Sequence, residues 1–343
     1  MKKFNSIILG AIFLVSLLEL INPVSAATIV VNPGIGTPIQ DAINAANAGD
    51  TILVNAGTYN ENIVIDKSLT LIGNSKTTTI IKPEANATNW ILIQSTGVNI
   101  KNFTFDGEGF SIRSGIRTQG SGSITNCIIK NIHQAKYLGF GISFDYNVTG
   151  QDWQITGNEF HNIERVGVWI GGQGNKATIS GNIIEGNGEG DWVGYGIEVE
   201  MSAVAYIEDN HISGYKGVAS SDGSESAAIM ITSYFGQNPK AYITGNTLTD
   251  NTTGILVGYE EGDTSFITAN NNNISGNKYG IVNLTPHILD VTNNWWGSNA
   301  GPPPGYIVGN TKYFPWDKKA SLPINSIMKI LDSNKQKKQQ KES

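Results

Sequence analysis

A dipeptide, Gly-Ile or its near equivalent, returns seven times in this chain. It reads Gly115-Ile116, Gly141-Ile142, Gly167-Val168, Gly196-Ile197, Ala228-Ile229, Gly254-Ile255 and Gly280-Ile281, at spacings of 26, 26, 29, 32, 26 and 26 residues. A second motif, Ile-Thr/Ser-Gly-Asn-x-apolar, interleaves with it at Ile155 to Phe160, Ile179 to Ile184, Ile207 to Ile212 and Ile243 to Leu248, with a drifted copy from Val291 to Trp296. Strands this short cannot bury an apolar face alone, so they must stack on copies of themselves. The 343 residues therefore predict one elongated solenoid rather than two or three separate domains.

Period-two alternation sets the inside of each coil. Ile142/Phe144, Val168/Ile170, Ile197/Val199, Ile229/Ile231 and Ile255/Val257 form one inward column. Ile155, Ile179, Ile207 and Ile243, with Phe160, Ile184, Ile212 and Leu248, form two more. Asn158, Asn182, Asn210, Asn246 and Asn294 fall at the corner between them, where a left-handed angle is expected and where amides can bond from coil to coil as a ladder. Cys127 takes that position in an earlier coil, as a small buried side chain and not as a reactive thiol. With a single Cys, no intramolecular disulfide can form.

The ends of the stack carry their own signals. Ile39, Ala42, Ile43 and Ala46 follow a helical period, ahead of short strands at 51–54, 63–65 and 69–72. A helix there would cover an open β-edge. At the other end Trp295, Trp296 and Trp316 accompany the consecutive prolines Pro302, Pro303 and Pro304. Bulky rings and residues without a donor N–H read as a stop.

The entry from Ile39 to Glu61, the Asn repeats, and the Asn-Trp-Trp-Gly…Pro-Trp ending resemble right-handed parallel β-helix proteins of the pectin lyase-like superfamily. In style they are similar to adhesin-like surface proteins of methanogens and bacteria. The resemblance implies an all-β, right-handed parallel β-helix of about ten coils, roughly 50 Å long at strand spacing. It would occupy 27–320, with an N-terminal capping helix in 28–50 and a C-terminal cap in 293–318. The superfamily holds lyases, hydrolases, epimerases and proteins without enzymatic activity, so fold alone does not name an activity.

Residues 1–26 have a basic start, an apolar run from Ile7 to Leu18 and small residues at Val24-Ser25-Ala26, the pattern of an export signal. The expected location is secreted or cell-surface, with no membrane span after cleavage. Sequons at Asn86, Asn102, Asn147, Asn251, Asn273 and Asn283 are expected in surface turns. The polar segment 321–343, with four Lys after Asp332 and no apolar residue there, is expected to be disordered. A net charge of -6 with no basic stripe excludes nucleic acid as a natural partner, and a monomer is expected.

The outward positions of the Gly-Ile strands give two rows. One reads Arg117, Ser143, Trp169, Glu198, Met230, Leu256, and the other Gln119, Asp145, Gly171, Glu200, Thr232, Gly258. The apolar turn at Met230 and Leu256 predicts cover by a loop. Long connections after Cys127, Asn182 and Asn210, and on the strands' far side, would wall a groove on this face.

Trp169, Trp192 and Tyr137 offer rings for sugar faces, and Asp191 offers hydroxyl acceptors. Asp145, Glu198 and Glu200 are the carboxylates for acid/base work or for a Ca²⁺ ion, the one cofactor the pattern suggests. A Ca²⁺-dependent lyase would need a base, for which Arg165, Lys136 and His133 are the candidates. The Asp-Pro-His run of alginate epimerase-like β-helices and the Asn-Thr-Asp signature of polygalacturonase-like ones are missing. His161 and His211 are read as surface residues, since their spacing does not converge on a metal. The preferred reading is a protein that binds a polysaccharide or surface glycan in this groove. The alternatives are a lyase or hydrolase using the same groove, and an envelope component without ligand.

Overall fold

The computed structural model describes residues 26–134 and 138–320. The export segment, all but Ala26, the 321–343 tail, Lys136 and Tyr137 lie outside the described residues. Within them the chain is a solenoid of three parallel sheets, of twelve, ten and eight strands. It makes about eleven turns, one more than the repeats suggest. The extra length lies at the end, where the proline run does not stop the stack. The chain returns after Pro302–Pro304, pairing Ile307–Val308 with the Tyr279–Asn283 strand and Thr311–Lys312 with Leu289–Asp290. Proline lacks a donor only where it sits, and these prolines sit in a loop.

Like stacks on like, as the alternation requires. Ile116, Ile142, Val168, Ile197, Ile229, Ile255 and Ile281 are register partners in the ten-stranded sheet. Ile124, Ile155, Ile179, Ile207 and Ile243 are partners in the twelve-stranded sheet. Ile129, Phe160, Ile184, Ile212 and Leu248 are partners in the eight-stranded sheet. All are buried in one continuous core.

Glycine in the dipeptide answers a spatial demand and not an angular one. A Cβ on Gly167 would stand 2.6 Å from the Gly196 carbonyl oxygen and 2.9 Å from Ile184 Cγ2. Gly141 and Gly254 meet the next coil in the same way. The left-handed angle at the Asn corner falls one residue earlier than the sequence suggests, on Gly157, Gly181, Asp209, Gly245, Asn271 and Asn293. The asparagine that follows is thereby turned inward and buried.

Those buried asparagines form a continuous column. Each side-chain Nδ2 donates to the next Oδ1, from Asn158 through Asn182, Asn210, Asn246 and Asn272 to Asn294, at 2.8–3.1 Å. Asn272 joins the column although its coil lacks the full motif. The column ends at Cys127, whose backbone N–H donates to Asn158 Oδ1 at 2.9 Å. Burial pushes the Cys127 thiol up to about 12, so it stays protonated and inert.

At the start, the helix Pro38–Ala45 buries Ile39, Ala42 and Ile43. Thr37 makes no side-chain cap. The buried carboxylate of Glu61 serves instead, accepting the Ile39 and Gln40 N–H groups at 2.9 and 2.8 Å. A negative group at a helix N-terminus satisfies orphan donors and meets the positive end of the dipole. At the other end Trp296 is buried against Tyr306, ring edge to face at 6.4 Å.

Two sequons depart from the expectation. Asn251 and Asn283 are buried, and each amide is committed to backbone carbonyls. Each is held inside by the carbonyls it serves, so an Asn in a sequon need not be exposed.

Candidate functional site

The outward face of the ten-stranded sheet carries Arg117, Ser143, Trp169, Glu198, Met230 and Leu256 as consecutive register partners. Loops cover its later part. Val193 and Ala219 pack on Val166, Tyr195, Ala227 and Met230 to make a second, smaller apolar cluster outside the barrel of the solenoid. What remains open is a cavity of about 400 Å³, lined chiefly by Arg113, Arg117, Phe140, Arg165, Trp169, Glu198 and Glu200, with Tyr146, Met201 and Phe235 at one wall.

Glu198 and Glu200 project from the same side because they are two residues apart at the end of the Tyr195–Val199 strand. Both are buried, and their carboxyls hydrogen-bond to each other. Loss of water raises both, and the Glu198 charge raises Glu200 further, to about 9. Two carboxylates in contact cannot both ionise, so the pair holds one proton at neutral pH. Trp169 Nε1 donates to Glu200 Oε2 at 3.2 Å and aligns that carboxyl.

Arg165 supplies the facing charge. Its guanidinium donates to the Val193 carbonyl at 2.6 Å and lies 4.9 Å from the centre of the Tyr195 ring. Arg117 is matched by Asp145, 3.2 Å away. Arg113 is exposed and has neither a hydrogen bond nor an ion pair among the described residues.

The sequence candidates separate into two groups. Glu198, Glu200, Arg165 and Trp169 meet in the cavity. Asp145 does not: it is held behind Arg117, accepting from Gln119 Nε2 at 2.8 Å and from the Asn147 N–H at 3.1 Å. Burial alone would raise its pKa, but these bonds and the Arg117 charge hold it below the usual carboxylate range.

Asp191 accepts the Ser220 N–H and Oγ at 2.7 Å, tying two loops together. Trp192 lies over Gly190 and Gly217, in space that a Cβ would fill. Neither lines the cavity, and His133 stands outside it as well. Among the described residues no three His, Cys, Asp or Glu side chains converge to hold a metal ion. The proposed Ca²⁺ set fails on geometry because Asp145 faces an arginine instead of Glu198 and Glu200.

Arg113, Phe140, Tyr146 and Phe235 are cavity residues that reading forward from the dipeptide misses. Arg113 and Arg165 each stand two residues before their glycine, so the same repeat, read backward, aligns them.

Comparison with known proteins bears on the fold. The family model described as "Right handed beta helix region" matches residues 86–224 and 114–295, together more than half of the chain. No curated protein matches the sequence. Among solved structures, pectin methylesterase from carrot is 13% identical, covering 85% of this chain and 88% of that one with a TM-score of 0.43. The Aspergillus niger pectin methylesterase is 15% identical, covering 88% and 92% with a TM-score of 0.45. An alginate lyase from Paenibacillus sp. is 14% identical, covering 64% and 94% with a TM-score of 0.39. By its family match and its stacked parallel sheets, the chain belongs to the right-handed parallel β-helix family.

Proposed function

We propose that the cavity binds one unit of an acidic polysaccharide, and that the chain is an exported glycan-binding protein of the cell surface or its surroundings. The observation that carries this reading is the meeting of the Trp169 ring, the Glu198–Glu200 acid pair and an unpaired Arg113 in one cavity. A pyranose needs an aromatic face for its C–H groups and buried polar atoms for its hydroxyls. Charge accounting favours a negative ligand. Arg117 is balanced by Asp145, Arg165 faces the single charge of the acid pair, and Arg113 is left over. The export reading rests on the sequence of residues 1–26.

A panel of pectate, alginate and neutral glucans, scored for retention and for product, tests this. Arg113→Ala should weaken retention of the charged polymers by about tenfold, the value of one charge-assisted contact, and leave neutral ones unchanged. Equal retention of charged polymer by the variant would remove Arg113 from the site.

One observation favours catalysis as a second reading: Glu200 holds a proton at neutral pH inside the cavity, where it could serve as a general acid. Hydrolysis by the pair itself does not fit, because hydrogen-bonded carboxyls are closer than the ~5 Å that retaining glycosidases use. Unsaturated product absorbing in the ultraviolet would select a lyase, and retention without product would select binding alone.

A further inference from the structure

We propose that the bound glycan is read as a chain and not as a single sugar, its next residue lying along an aromatic ridge formed by Phe235, Tyr234 and Tyr259. This inference rests on the cavity reading above and extends it toward the C-terminal end of the stack.

The ridge follows from the coil geometry. The loops at the C-terminal ends of successive strands in the ten-stranded sheet form one wall of the cavity, through Tyr146 and Met201 and then Phe235. Phe235 is the last wall residue of the cavity and the first of the ridge. Tyr234 meets Phe235 edge to face at 4.7 Å, and Tyr259, from the following turn, meets Tyr234 edge to face at 4.9 Å. Their exposures are 65%, 60% and 39% for Phe235, Tyr234 and Tyr259. Tyr259 stands one turn beyond Phe235, so at strand spacing the ridge extends about 5 Å past the cavity, about the length of one pyranose residue.

Exposed rings of this size are costly in water, and here they are held in place rather than left mobile. The buried Asp263 accepts the Ser233 N–H at 2.9 Å, Thr232 Oγ1 at 3.3 Å and the Ser265 N–H at 2.7 Å. Thr264 returns the contact, its N–H donating to Ser233 Oγ and its Oγ1 accepting the Asn238 N–H. Gly236 lies against Met201, where a Cβ would stand 3.1 Å from the Met201 Cα. A loop fixed by this many bonds presents its rings in one orientation before any ligand arrives, which lowers the entropic cost of binding. Phenol rings offer both a flat face for sugar C–H groups and a hydroxyl for its oxygens. The strand face beside the ridge, at Met230 and Leu256, is closed by Val193 and Ala219, so the exposed rings and not that face would carry the sugars. Together they fit a sugar strand running along the solenoid axis.

The test is length dependence of binding. Oligosaccharides from monomer to octamer, prepared from pectate, alginate and cellulose, are titrated by calorimetry against the full chain and against a Tyr234→Ser/Tyr259→Ser variant, which leaves the cavity wall at Phe235 intact. The expected result is an affinity that rises at least tenfold between monomer and trimer in the full chain and stays flat in the variant, with monomer affinity equal in both. A flat profile in the full chain, or the same rise in the variant, overturns the ridge while leaving the cavity intact. No binding in any of the three series overturns the cavity reading and the ridge with it. Concentration-dependent self-association that the variant abolishes would also overturn it, assigning the rings to a second copy of the chain. The substituted residues are exposed, so circular dichroism and thermal unfolding should match between the two proteins.

Discussion

A carboxylic acid stays neutral at pH 7 where water is taken from it, the more so where a like charge stands beside it, and both act on Glu200. The folded state therefore holds a proton that the unfolded chain releases above its ordinary value of 4.5. The raised folded pKa makes this contribution fully present below 4.5 and progressively lost as pH rises toward about 9, at no more than ~1.4 kcal/mol per pH unit. Glu200→Gln, which keeps the shape of the protonated form, should flatten that decline in thermal unfolding scans from pH 5 to 9. An unchanged slope would mean that the pair does not share a proton. Period two was enough to put Glu198 and Glu200 on one outward face. Their closeness to Arg165, and the removal of Asp145 by Arg117, depend on loops from separate coils, which spacing within one strand does not encode. Asp191 and Trp192 lie outside the cavity for the same reason: their partners, Ser220 and Gly217, lie in another long loop.

At the scale of the strand, the repeated glycine is a clearance requirement. Gly167→Ala should destabilise the protein by about 1–3 kcal/mol through overpacking against the Gly196 carbonyl, read as a lower denaturant midpoint. A midpoint equal to that of the parent chain would show that the coil can open at no cost. The inward columns, the helix and the strand repeats were legible because each follows from alternation or helical period alone. The carboxylate cap supplied by Glu61 was not, since a residue 22 positions from Ile39 becomes its neighbour only after the first coil closes.

For the whole molecule, the two ends are where a stack of parallel strands is vulnerable. Thr51–Val54 is paired on one side by Thr28–Val31 and shielded by the Pro38–Ala45 helix. Deleting residues 27–50 should bare that strand's N–H and C=O groups and drive edge-to-edge association, seen as larger species in sedimentation. A size distribution like that of the intact chain would mean the edge is protected by other means. No helix among the described residues is long and apolar enough to cross a membrane. The last coil was the least legible part, because a proline run marks a break in the ladder without saying whether the chain returns to it.

The column of buried asparagines also governs how the protein ages. Loss of ammonia from asparagine begins when the next residue's backbone nitrogen attacks the side-chain carbonyl. Along the column that nitrogen is already engaged with a neighbouring coil: Glu159 with the Cys127 carbonyl, Ile183 with Asn158, His211 with Asn182, Thr247 with Asn210. Asn187 is exposed, with its amide donating to the Ile163 carbonyl at 3.0 Å, and the Gly188 that follows has no side chain to hinder the attack. On long storage, one-dalton mass gains should accumulate first at Asn187 and spare the column, so that the molecule's chemical clock runs on its surface while its spine keeps the amides it was made with.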